Sequence, residues 1–187
     1  MNYVYHGSSI PNLEVIKKHK STHMKEWVYA CHSKVIATIF LSKQGSDLFY
    51  SLSGDGKNYP VELVERNPDM FKKIFNCSGY IYKLDASNFK ENQTGWSAEV
   101  VSDIDEKVIS SEYIDNVYDE LIKLDKEGLI KLYLYPNRPD YVPIDNSDLI
   151  PKVLRWYKNG FNINNFYNIY PELKDKFLEE LEKANEN

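Results

Sequence analysis

Three short stretches carry the side chains best placed to do chemistry. "YHGSS" at 5–9 sets His6 directly before Gly7, at the end of an apolar Tyr3-Val4-Tyr5 strand. An imidazole there can be presented to a ligand, and the glycine lets a flat group reach backbone N–H and C=O with no side chain in the way. "WVYACHSKVIATIF" at 27–40 ends a second strand with Tyr29 and opens a helix through Ser33. "GWSAEVVS" at 95–102 places Glu99 at the front of a third strand. Taken singly, each has a plainer reading: a structural histidine, a core tyrosine, a solvated strand-end carboxylate.

Several other chemistries leave no fingerprint. The chain has neither G-x-G-x-x-G nor G-x-x-x-x-G-K-S/T, so dinucleotide-fold and P-loop phosphate sites are not expected. His19 and His23 have a spacing that suits zinc on a helix, but the Glu of a metalloprotease is missing and the surrounding run reads as a solvated basic loop. Ser8 and Ser9 lack a G-x-S-x-G setting. Cys31 and Cys77 form no C-x-x-C and read as reduced, buried or half-buried thiols.

Taken together, the three stretches resemble the His-Tyr-Glu signature of ADP-ribosyltransferases of the diphtheria-toxin and poly-ADP-ribose polymerase type. In that family a strand ends in H-G-S/T, a second carries a Tyr followed by small residues and a Ser-led helix, and a later strand opens with Glu. The matching residues are His6-Gly7-Ser8, Tyr29-Ala30 with Ser33-Lys34 and Ala37 to Phe40, and Glu99-Val100-Val101. The resemblance lies within roughly the first hundred residues, and nothing equally specific follows Ser102. Cys31-His32 departs from it, standing where members often have small residues or longer insertions.

The resemblance implies an enzyme that uses NAD as substrate, without a metal, and transfers ADP-ribose to a macromolecule with release of nicotinamide. Gly7 would hold the carboxamide through its backbone, Tyr29 would stack on nicotinamide and His6 would meet a ribose hydroxyl, with Ser8 and Ser33 as further NAD contacts. Glu99 would be the catalytic carboxylate beside His6 and Tyr29, facing positive charge that develops on the ribose as nicotinamide leaves. Protein or nucleic acid is the expected acceptor. A toxin-like bacterial modifier of this kind would also have an antitoxin or regulatory partner. The alternatives are a non-catalytic nucleotide- or ADP-ribose-binding module of the same fold, and a protein-interaction module in which the three side chains do not converge. The related RNA 2′-phosphotransferases rely on several basic residues at the site, for which this chain offers only Lys17 to Lys25.

The elements that must position these residues follow from patterning. At 187 residues, 42% hydrophobic and 27% charged, the chain is long enough to bury a core without disulfides or metals. A net charge of −5 argues against broad affinity for nucleic acid or anionic membrane. Fifteen tyrosines can line a groove or fill a core. No apolar run is long enough to span a membrane and the start lacks a signal peptide, so the expected location is cytoplasmic.

Along the chain, Tyr3–Tyr5 reads as a strand and Pro11 to Ile16 as a two-turn helix. A polar loop precedes a strand at Trp27–Ala30 and a helix capped by Ser33. Asp55-Gly56 marks a hairpin between Leu48 and Val64, with Pro60 placing its strand at an edge. A short helix is expected from Pro68 to Phe75, then strands at Gly79–Asp85 and Ala98–Ser102. The strongest helical stripe covers Ser111 to Glu127, ended by Gly128, and a strand follows at Leu129–Tyr135. The expected class is α+β, with a mixed, mainly antiparallel split sheet and flanking helices. The expected division is an ADP-ribosyltransferase-like domain over 1–150 and a helical extension over 151–187 packed on it.

Overall fold

The computed structural model describes residues 2–21, 23–42 and 48–186. The first strand, β1 (Tyr3–Ser8), is followed not by a helix but by bends and a short strand, β2 (Val15–Ile16). Asn12 sits at φ 56°, a left-handed conformation that breaks a right-handed helix, and Val15 and Ile16 pair with Lys107 and Glu106 instead. The run expected as a loop contributes β3 (His19–Lys20), which pairs antiparallel with β4 (Glu26–Cys31) to make an arm. Helix α1 (Lys34–Ile39) starts where expected, because the Ser33 hydroxyl accepts the Val35 N–H at 3.1 Å. Six residues make a helix that is marginal alone in water, so the burial of Val35, Ile36, Ala37 and Ile39 is what holds α1 in place.

The expected hairpin is present as β5 (Tyr50–Ser53) and β6 (Val61–Glu65). Its turn has Gly56 at φ 70°, and the Asp55 carboxylate accepts the N–H groups of Lys57 and Asn58. Helix α2 (Met70–Phe75) and strand β7 (Gly79–Asp85) also fall where the pattern puts them. Then come β8 (Glu99–Ser102) and β9 (Glu106–Ile114). β9 takes the residues from Ser111 to Ile114 that the helical stripe claimed. Helix α3 (Val117–Lys126) begins later, capped by Asn116, whose side chain accepts the Asp119 N–H. Gly128 ends it at φ 74°, and β10 (Ile130–Tyr133) follows.

Seven strands form one antiparallel sheet in the order β2-β9-β7-β1-β4-β3, with β8 also on β4. A second sheet has the order β10-β6-β5, with β10 parallel to β6. β6 is therefore central rather than an edge. Pro60 precedes it, and the first ladder N–H, from Val61, donates to the Leu129 carbonyl. One face of the large sheet packs Val4, Val28, Ala30, Tyr82, Leu84 and Val100 together. The opposite core gathers α1 and α3 with Phe71, Phe75 and Ile81.

The chain forms two compact units, Met1–Asn137 and Arg138–Asn187. The second holds α4 (Leu149–Lys158), α5 (Asn164–Ile169) and α6 (Lys174–Glu186), with Phe166 in ring contact with Tyr170 and Phe177. The class is α+β, with mainly antiparallel sheet and a helical C-terminal segment. No helix among the described residues is long and apolar enough to cross a membrane.

Candidate functional site

The site begins where two neighbouring strands part. β1 runs along β7 from Tyr3 to Ser8, yet on its other side it meets β4 at a single register pair, Tyr5 with Cys31. Next to that pair the His6 imidazole takes over from the backbone ladder, its Nδ1 lying 2.7 Å from the Tyr29 carbonyl oxygen. A carbonyl can only accept, so Nδ1 carries the proton and Nε2 of the neutral ring is an acceptor. Burial is the largest influence on His6 and lowers its pKa below the usual value of 6.5; the nearby His19 adds to this, while the Tyr29 carbonyl opposes it. The ring is therefore mainly neutral at pH 7.

A cleft of about 240 Å³ opens at this parting and is lined by Tyr5, His6 and Gly7 from β1 and by Tyr29, Ala30 and Cys31 from β4. Register explains the convergence. Tyr5 lies opposite Cys31 and Cys31 opposite Glu99, so three adjacent strands carry these residues on one face. Gly7 and Tyr29, each two residues along, share that face. Glu99 thus reaches the cleft as the first residue of β8. Gly7 also has a packing reason to be glycine, since a Cβ there would collide with the Ala37 carbonyl oxygen of α1.

Tyr29 lies in a cluster of rings. His23 stacks on it at 5.9 Å and 26°, His19 lies at 5.4 Å and Trp27 meets it edge-on at 6.1 Å. Burial pushes its pKa up, the Ser21 hydroxyl opposes this and Glu99 adds to it, so the phenol stays protonated at neutral pH. Cys31 is only 2% exposed, and burial together with Glu99 raises its thiol well above the ordinary value. A thiol kept protonated in this way is a poor nucleophile.

Of the residues expected from sequence, His6, Gly7, Tyr29 and Glu99 border one cleft. Ser8 and Ser33 are not among its lining residues. The Ser8 hydroxyl accepts the Ile10 N–H in the turn after β1. Ser33 is buried, caps α1 and shares a 2.9 Å hydrogen bond with the Tyr59 hydroxyl. Tyr5, His19, Ser21 and Phe40 line the cleft without having been expected there. Phe40 read as one more apolar helix position, but it follows the last residue of α1 and is 38% exposed.

Trp96 does not line the cleft but touches two residues that do, Phe40 and Glu99, and ties them to the β5–β6 turn. Its indole N–H donates to the Gly54 carbonyl at 3.0 Å, its ring meets Phe40 edge-on at 6.0 Å and its carbonyl accepts the Glu99 N–H at 3.2 Å. Glu91, earlier in the same connection, lies 2.9 Å from His32 and 3.2 Å from Lys57, two groups that help hold its carboxyl below the usual range. No group of three or more His, Cys, Asp or Glu among the described residues is arranged to hold a metal ion. Compared with protein-family models, curated proteins and solved structures, the chain matches none.

Proposed function

We propose that the chain is an NAD-dependent ADP-ribosyltransferase of the His-Tyr-Glu type, with the ADP-ribosyltransferase-like fold, acting on a macromolecular acceptor. One observation carries this reading: His6, Gly7, Tyr29 and Glu99, from strands far apart in sequence, border a single cleft where β1 and β4 separate.

The cleft's size fits half of the dinucleotide. At ~30 Å³ per water it holds about eight waters, below the ~300–1,000 Å³ of pockets that enclose a whole drug-sized ligand. The nicotinamide and its ribose occupy it, and the remainder of NAD lies along the open side. The rings of Tyr29 and Phe40 supply apolar walls for a flat heteroaromatic group. Gly7 borders the cleft and offers its backbone to the carboxamide. Nε2 of neutral His6 accepts a hydrogen bond from a ribose hydroxyl.

In the reaction, the bond between nicotinamide nitrogen and ribose C1′ breaks, and nicotinamide leaves with the bonding electrons. Positive charge spreads over the ribose ring, where the Glu99 carboxylate meets it in a half-buried site. An acceptor nucleophile then bonds to C1′ and gives up its proton, with Glu99 positioned to receive it. Removing a preorganised group of this kind costs on the order of 3 kcal/mol of barrier, roughly a hundredfold in rate.

The test is incubation with NAD and chromatographic measurement of released nicotinamide, for the wild type and Glu99→Gln. The reading expects release by the wild type, at least a hundredfold slower release by the variant, and similar NAD affinity in both. Equal rates would remove Glu99 from the chemistry. Thermal stabilisation by NAD without any release would assign the cleft to a binding module instead.

A further inference from the structure

The arm formed by β3 and β4 has a composition unlike the rest of the chain. Residues 17–25 hold four of the chain's 23 Lys and Arg and two of its four histidines, but none of its 28 carboxylates. Lys17, Lys18, Lys20 and Lys25 are all exposed. Lys18 is answered by acid, since its backbone N–H donates to Asp105 at 2.9 Å and its charge acts on Asp103. Lys17, Lys20 and Lys25 form no ion pair among the described residues. In a protein of net charge −5 this is a segregated positive surface.

Its second property is aromatic. Lys25 Nζ sits 4.9 Å over the Trp27 ring, Trp27 meets Tyr29, and exposed His23 stacks on the same Tyr29. His19 in β3 and Ser21 in the turn that follows it line the cleft itself. Cations and rings therefore run together from solvent to the cleft mouth. Alternating cations and flat faces suit single-stranded nucleic acid, whose phosphates meet the lysines while its unpaired bases stack on the rings. An acidic peptide offers charge but no flat faces, and a duplex hides its bases.

We propose that this arm binds a single-stranded nucleic acid and presents it to the cleft as the acceptor. Its role as acceptor rests on the transferase reading above; the binding does not. Phosphates contact Lys17, Lys20 and Lys25, and a base packs on His23.

The probe is a fluorescein-labelled, mixed-sequence 20-nucleotide RNA, titrated with the full chain while anisotropy is followed from 50 to 200 mM salt. Three phosphate contacts, at about −0.7 each, give a slope of log K against log salt near −2. The triple variant Lys17→Glu, Lys20→Glu, Lys25→Glu should lose at least tenfold in affinity, and His23→Ala on the order of fivefold. Circular dichroism melts check that both variants remain folded. The proposal is overturned by no binding at 50 mM salt, by equal affinity in the triple variant, or by poly-glutamate competing as well as unlabelled RNA. The two readings fail separately. Nicotinamide release without RNA binding removes the arm's role, whereas RNA binding without release removes the transferase and leaves the binding surface.

Discussion

Replacing His6 in two different ways separates its structural from its chemical contribution. In the folded chain its Nδ1–H satisfies the Tyr29 carbonyl at 2.7 Å in the gap where β1 and β4 part. His6→Leu leaves that carbonyl with no replacement donor, a loss of about 1–3 kcal/mol, which lowers Tm by roughly 2–12 °C in a chain of this length. His6→Asn keeps an N–H close to the position of Nδ1, so most of the stability at pH 7.5 should survive. Asn lacks the acceptor that Nε2 offers to the cleft, so nicotinamide release should still fall by at least tenfold, about 1.4 kcal/mol.

The pH dependence gives the same variants a second reading. Burial lowers the His6 pKa in the folded state below the unfolded value of 6.5, so the unfolded chain binds more protons in that window. The stability linked to neutral His6 is therefore complete above about pH 6.5 and declines as pH falls toward the lowered folded value. Melting curves from pH 8 to 5 should show the wild type losing its advantage over His6→Leu on acidification, while His6→Asn lacks this His6 contribution. Parallel Tm profiles for all three proteins would refute the placement of His6 as a buried, neutral donor to Tyr29.

Other consequences can be measured directly. Gly7→Ala drives a Cβ into the Ala37 carbonyl, so α1 must move; the expected cost is about 1–3 kcal/mol, read as a lower Tm, with weaker NAD binding by calorimetry. Trp96→Phe keeps an edge contact to Phe40 but loses the hydrogen bond to Gly54, about 1 kcal/mol. On the proposed transferase reading its kcat for nicotinamide release should drop several-fold with KM for NAD little changed, because Trp96 contacts Glu99 without lining the cleft. In the C-terminal unit, the Ser147 hydroxyl and N–H together with Lys176 hold the Asp145 carboxyl at about 2; NMR titration of Ser147→Ala should show it rising toward the ordinary value of 3.8.

Local chemistry settled much of the fold before any long-range contact. Ser33 caps α1 because its side chain reaches the Val35 N–H, and Gly128 ends α3 because it accepts φ 74°. The "GYIYKLD" alternation marks β7 for the same local reason, side chains pointing to opposite faces in turn. The helical reading of 11–16 failed where Asn12 turns left-handed and Val15 and Ile16 find strand partners. That of 111–116 failed because Ile114 and Val117 keep a helical spacing across a strand-to-helix junction. β9 shows little alternation of its own and exists through pairing with β7.

The residue types able to bind and polarise a ligand, His6, Gly7, Tyr29 and Glu99, were legible in the sequence with their order and strand contexts. Their meeting was not, because it depends on a register that sets Tyr5, Cys31 and Glu99 side by side and on β1 and β4 separating after one pair. Phe40 and the basic arm likewise reach the cleft only when α1 and β3 are packed around it. Local propensity acts over a few residues, whereas a cleft is enclosed by contacts between segments tens of residues apart, whose geometry the assembled core alone determines.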